Sequence, residues 1–268
     1  MRKTGDEPGW TPAAEPPLTA RSVLASTLLG ADPPVLPVAH LVRVAGLFGI
    51  NDNRARVALS RMAASGEVLA RGDGRYALAG HLLDRQRRQA TSRAGARRHW
   101  DETWALAVVT TAGSSAEIRA RRRTTLARAR LAELREGVWT RPDNLEIAVD
   151  GEVGADLLLL RGARGVPADV GASLWDLPGW AGRADLLLGA LEAKVPEAPE
   201  DLAPGFVLSA AVLRHLQADP LLPAPMLPSG WPGARLRQVY DAWDGAYRQV
   251  LGRWGAAGAT GAADPAGR

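Results

Sequence analysis

Between residues 18 and 80, three short amphipathic segments precede a tight hairpin, an order that few small folds accommodate. Ala20 to Leu29 carries Val23, Leu24, Thr27 and Leu28 at helical spacing, with Thr19 placed to cap it. Gly30 and Pro33-Pro34 end that helix. Pro37 is expected to open a second helix at its first turn, where the missing N–H costs nothing. Val38, Leu41, Val42 and Ala45 give it a buried face, and Gly49 stops it. Asn51 or Asp52 caps a third helix that reaches Ser65 and closes at Gly66. Val68-Leu69-Ala70-Arg71, a turn at Gly72-Asp73-Gly74, and Arg75-Tyr76-Ala77-Leu78 then read as a hairpin. The pattern predicts a winged helix-turn-helix.

At 100° per residue, the third helix collects Ala55, Ala58, Leu59 and Met62 on one face. Asn53, Arg56, Val57 and Ser60 fall opposite, with Arg54 and Arg61 on a flank. A recognition helix needs an apolar side to seat it and polar side chains that reach base edges or phosphates. Arg pairs bidentately with guanine and Asn with adenine. Taken alone, the helix also fits an ordinary solvated amphipath. The hairpin, with Arg71 and Arg75 at its tip and base, turns the reading toward a wing on DNA. The candidate DNA-binding residues are therefore Asn51, Asn53, Arg54, Arg56, Val57, Ser60, Arg61, Arg71 and Arg75. Charge segregates in the same sense. Thr19–Arg98 holds 13 Arg against 5 acidic residues, whereas Glu146–Arg268 holds 10 Lys and Arg against 15.

The remaining chain divides by composition. Residues 1–17 and 255–268 read as a disordered arm and tail. Residues 81–99, with Arg85, Arg87, Arg88, Arg93, Arg97 and Arg98, read as a basic linker too charged for a core. Over residues 100–175, strands are expected at Trp104–Val109, Val138–Arg141 and Asp156–Leu160, with a long helix from Ile118 to Leu134. That alternation suggests a ferredoxin-like α/β sandwich. Residues 176–254 read as a helical domain with helices at Ala184–Leu191, Val207–Gln217 and Leu236–Leu251. The fold class is α+β. The Arg run at positions 119–130 reads as a solvated face before a phosphate-binding one.

Several chemistries lack their residues. The chain has no cysteine, and His40, His81, His99 and His215 have no zinc spacing, so no metal and no cofactor is expected. No phosphate loop, dinucleotide fingerprint or nucleophile elbow occurs, so no catalytic residue is assigned. Asp101 and Glu102 precede the first sandwich strand, where a metal-dependent nuclease would place a carboxylate, but no acidic partner is evident. No apolar run is long enough to span a membrane, and a cytoplasmic protein is expected.

Three sets of motifs carry a family resemblance. They are Leu18-Thr19-Ala20-Arg21-Ser22 with Leu47-Phe48-Gly49-Ile50 and Arg56-Val57-Ala58-Leu59-Ser60-Arg61-Met62; Gly74-Arg75-Tyr76-Ala77-Leu78 with Trp100 through Trp104 and Gly137-Val138-Trp139-Thr140-Arg141-Pro142-Asp143-Asn144-Leu145; and Asp219-Pro220-Leu221-Leu222-Pro223 with Leu227-Pro228-Ser229-Gly230-Trp231-Pro232-Gly233. In this order, over roughly residues 18–250, the chain resembles the PaaX-like regulators, repressors of phenylacetic acid degradation. The resemblance implies a winged helix-turn-helix, a central domain similar to Cas2, a helical C-terminal domain and a homodimer on operator DNA. It also implies relief of repression by an acyl-coenzyme A thioester such as phenylacetyl-coenzyme A, and a DNA role for Arg56, Ser60 and Arg61. An anionic effector wants arginine nearby. Arg141, Arg161, Arg164 and Arg183 are the candidates, with Trp139 or Trp175 as stacking partners. Two rival readings are a metal-dependent nuclease on the central domain and a non-specific DNA-packaging protein.

Overall fold

The computed structural model describes residues 10–12, 18–95, 98–111, 113–149, 151–165 and 173–260. The chain forms two compact units. The first takes the chain up to Arg93, then Asp185–Arg214, then Arg235 onward; the second takes Ala94–Ala184 and His215–Ala234.

The first unit begins with α1 (Ala20–Leu29), β1 (Val35–Pro37), α2 (Val38–Gly46), α3 (Asp52–Ala64), β2 (Val68–Ala70) and β3 (Arg75–Leu78). Thr19 Oγ1 accepts from the Ser22 amide while Ser22 Oγ accepts from the Thr19 amide, a reciprocal cap for α1. Leu24, Leu28, Leu41, Leu59 and Met62 are fully enclosed where α1, α2 and α3 meet. The strands form an antiparallel sheet in the order β1-β3-β2, Val35 opposite Ala77 and Val68 opposite Leu78. This is the winged helix-turn-helix, with one correction. Pro37 does not open α2 from within; it ends edge strand β1 opposite Arg75 and stands as the N-cap. An edge strand tolerates a residue without an N–H. Three residues behind two prolines carry no alternation that would have announced a strand.

Residues 81–99, expected to be only a linker, contribute a packed helix, α4 (Gly80–Ala94). It begins against the end of α3: a Cβ on Gly80, at φ +50°, would stand 2.7 Å from the Gly66 carbonyl oxygen, so only glycine fits. Leu82, Gln89 and Ser92 are buried. Arg93 is held by Asp241 at 2.7 Å and Asp244 at 3.0 Å and lies over the Tyr240 ring. These acids belong to a distant stretch of chain, which is why the local sequence shows only unpaired charge. Arg97 lies outside the described residues.

Three long helices follow the central segment: α7 (Leu177–Ala193), α8 (Leu202–Gln217) and α9 (Gly233–Thr260). Parts of all three join the first unit, where Tyr240, Trp243 and Tyr247 stack along α9. Arg43 donates to the carbonyls of Trp254 and Gly255 and lies 4.3 Å over the Trp254 ring. The carbonyls at the end of α1 are capped from outside: Gln86 donates to Leu29 and Ala31, and Arg248 to Gly30. Helix α9 thus continues through Gly255 to Thr260, where a disordered tail was expected. Residues 261–268 and most of the arm lie outside the described residues.

The second unit contains β4 (Trp104–Val109), α5 (Ala116–Arg128), β5 (Ala132–Arg135), β6 (Val138–Pro142), α6 (Gly151–Ala155) and β7 (Leu157–Ala163). The antiparallel order β5-β6-β4-β7 is the ferredoxin-like arrangement, with α6 as a shortened second helix. Ala105, Ala107, Leu126, Leu131, Trp139 and Ile147 form its core. The expected helix from Ile118 to Leu134 stops at Arg128. Arg130 turns at φ +61°, and the Ala132–Arg135 stretch pairs with β6 around Gly137 at φ +76°. Tertiary pairing overrides the helical propensity of those residues.

The Arg141 side chain is fully enclosed in this unit, and its charge is answered mainly by carbonyls. It donates to the carbonyls of Pro142 (3.1 Å), Arg130 (3.3 Å) and Pro220 (3.3 Å) and to Asn144 Oδ1 (3.0 Å). Asn144 donates in turn to the Leu221 carbonyl, and the Leu221 amide donates to Asp219 Oδ1. Burial pushes the Arg141 pKa down to about 9, helped by the nearby Arg130.

In the same unit Trp180 lies between His215 and Trp231, with ring centroids 4.3 and 4.5 Å away. Burial, with smaller opposing effects from its neighbours, pushes the His215 pKa down to about 4. Folding therefore favours the neutral ring. Its contribution is complete above the unfolded value near 6.5 and drains away as pH falls through 4. Allowing for partial exposure, the unfolding free energy is expected to drop by roughly 2 kcal/mol between pH 7 and pH 4 on this account. Denaturant titrations of wild type and His215→Gln at both pH values should show a shallower pH dependence in the variant; equal slopes would remove the assignment.

Candidate nucleic-acid interface

The Asn51 side chain caps α3 by accepting from the Arg54 amide at 2.9 Å. Ala55, Leu59 and Met62 seat the helix in the core. That placement leaves Asn53, Arg54, Arg56, Val57, Ser60 and Arg61 exposed together. Val57 is 42% exposed, an apolar group placed as a thymine methyl would require. Arg56 stands 3.7 Å from Asp52 on the preceding turn, with both side chains well exposed, so a phosphate or base can displace that pairing at little cost. Arg54 and Arg61 have no ion pair among the described residues.

The wing closes where the Arg71 amide donates to the Arg75 carbonyl at 2.8 Å. Asp73 accepts from the Arg75 amide, and Gly74 sits at φ +72°. Arg71 and Arg75 are exposed; Arg75 is 4.0 Å from Asp73, and Arg71 has no acidic partner among the described residues. All nine candidate DNA-binding residues thus lie on the surface of α3 or the wing, although the Asn51 oxygen is already committed to its cap.

The start of α1 adds residues that periodicity did not single out. Thr19, Ala20 and Arg21 line a concavity of about 640 Å³ with Asn53, Arg54, Val57 and Arg61. Arg21 is fixed by a fork onto Glu67, at 2.8 and 2.7 Å, which also holds the Glu67 carboxyl below its ordinary range. Their separation by 46 residues hides this pairing from sequence reasoning.

The expected effector residues all fall in the second unit, and two of them are enclosed there. Trp139 is 5% exposed in the core of the second unit, and Arg141 is consumed by its buried network, so neither is free to bind a ligand. Arg161 is paired with Asp143 and Glu146, Arg164 with Asp101, and Arg183 is half-buried in α7. Trp175 is half-buried.

A cavity of about 550 Å³ lies instead within the first unit, lined by the end of α1, α2, α4, α8 and α9. Asp101 bonds to Thr103, and no group of three metal-ligating side chains occurs among the described residues. Three members of the arginine run on α5 face acids: Arg121 faces Glu152, Arg123 faces Glu133, and the buried Arg122 faces Asp156. No described helix is long and apolar enough to cross a membrane.

The chain matches three family models in sequence order: PaaX-like protein over residues 19–82, the PaaX protein central Cas2-like domain over 97–156, and the PaaX-like protein C-terminal domain over 182–253. Among solved structures it is similar to the uncharacterized protein Rv0674 from Mycobacterium tuberculosis. The two are 41% identical over 88% of this chain and 99% of that one, with a TM-score of 0.67. No curated protein matches it. Together, the matched segments and the order of domains make this chain a member of the PaaX-like family.

Proposed function

We propose that the protein is a transcriptional repressor without a catalytic step, which binds operator DNA as a homodimer and releases it when an acyl-coenzyme A thioester binds. The observation that carries this reading is the exposed cationic surface of α3 and its wing, in which Arg54, Arg61 and Arg71 lack acidic partners among the described residues. Family membership supports a regulatory role. Leu158, Leu159 and Leu160, exposed along edge strand β7, supply an apolar edge of the kind two copies can share. A dimer would set two recognition helices roughly 34–36 Å apart, or a multiple of that. The regulated pathway suggested by the family is catabolism of an aromatic acid.

The test is fluorescence anisotropy on the chain's own upstream intergenic DNA against scrambled duplex, at two salt concentrations. A preference of roughly a thousandfold for the native fragment is expected, reduced by phenylacetyl-coenzyme A. Arg56→Ala should cost about 1–3 kcal/mol and relax preference at one base pair. Equal, steeply salt-dependent binding to both duplexes would sink the repressor and favour a packaging protein. A monomer by light scattering at micromolar concentration would remove the dimer.

A further inference from the structure

The first-unit cavity has walls of two kinds. Leu29, Leu36, Val44, Phe206, Leu213 and Leu251 make it predominantly apolar, and its volume of about 550 Å³ falls in the ordinary range for small-molecule sites. Arg85 projects from α4 into this lining. It is half-buried, and among the described residues it makes neither a hydrogen bond nor an ion pair. Burial first, and then the charges of Arg214, Arg21 and Arg88, hold its pKa below the ordinary arginine value. Two acids also line the cavity. Asp244 is neutralised by Arg93 and Arg248, and Asp32 is exposed at the rim. His40 is held toward its neutral form by burial and by Arg43.

An unanswered guanidinium in a mostly apolar chamber leaves half of a charge pair to be supplied. We propose that the cavity binds an amphipathic organic acid, its carboxylate on Arg85 and its hydrocarbon body among the apolar side chains. Such a ligand touches the end of α1 and the body of α2 on one side, and α8 and α9 on the other. Helix α3 packs on both α1 and α2, so ligand at this site biases where the recognition helix stands. This last step rests on the repressor reading; the binding itself does not.

The experiment is isothermal titration calorimetry of the full chain, without DNA, using octanoate and 3-phenylpropanoate as probes and their amides as uncharged controls. At least one acid is expected to bind tenfold or more tightly than its amide. Arg85→Gln is expected to abolish that margin without lowering the thermal midpoint, since it removes like-charge crowding and breaks no pair. Ala210→Leu, which fills part of the cavity, is expected to weaken acid and amide together. No heat from either acid at millimolar concentration would overturn the proposal, as would equal affinity of acid and amide. Binding of octanoyl-coenzyme A without any binding of octanoate would overturn the carboxylate assignment. Because no DNA is present, the cavity can fail while the operator preference stands, or succeed while that preference fails.

Discussion

Arg141→Ala is expected to cost about 3–5 kcal/mol of unfolding free energy, more than any other single substitution proposed for this chain. The truncation removes donors to three carbonyls and to Asn144 Oδ1 at a site with no exposure to solvent. Buried acceptors left without partners cost about 1–3 kcal/mol each where water cannot reach them. Arg141→Lys should recover little, because an ammonium cannot reproduce a planar fork aimed in several directions. Chemical denaturation of both variants, followed through Trp104 and Trp139, is the measurement. Near-wild-type stability in Arg141→Ala would show that the network adds nothing.

The second large effect concerns the surface of α3 and the wing. Changing Arg54, Arg61 and Arg71 together to Ala removes cations that face no acid among the described residues and should leave the fold intact. For every phosphate no longer neutralised, the slope of log affinity against log salt becomes shallower by about 0.9. If all three arginines meet phosphates, the slope should become shallower by roughly 2–3, with affinity at low salt falling several hundredfold. Anisotropy across a salt series reads both quantities. An unchanged slope would place DNA elsewhere on the molecule.

The winged helix-turn-helix is legible in the sequence because its signals are local. Caps at Thr19 and Asn51, a stripe along α3 and a Gly-Asp-Gly turn each act within a few residues. The second unit is half legible. Its hydrophobic strands announce themselves, whereas β5 hides in a helical-looking sequence and declares itself only by pairing with β6. Least legible is everything that depends on distant partners. Arg93 looks like linker charge until Asp241 and Asp244 answer it, and Arg141 looks like a ligand-binding cation although carbonyls have already claimed it. Arg85 is hidden in the opposite way, in a run of arginines where nothing marks the one that lines a cavity. The motif Asp219-Pro220-Leu221 is recognisable as family sequence, but its purpose is not: it supplies the groups that the Arg141–Asn144 turn needs.

That supply also has a direction in time. Arg141 and the Pro220 carbonyl are 79 residues apart, and a ribosome adds roughly 5–20 residues per second. For several seconds of synthesis, the central sheet therefore exists with its most buried cation one acceptor short. A nascent chain that ends before Asp219 holds every strand of that sheet and still lacks the groups that close it, so completion of the middle of this protein is timed by the arrival of its C-terminal end.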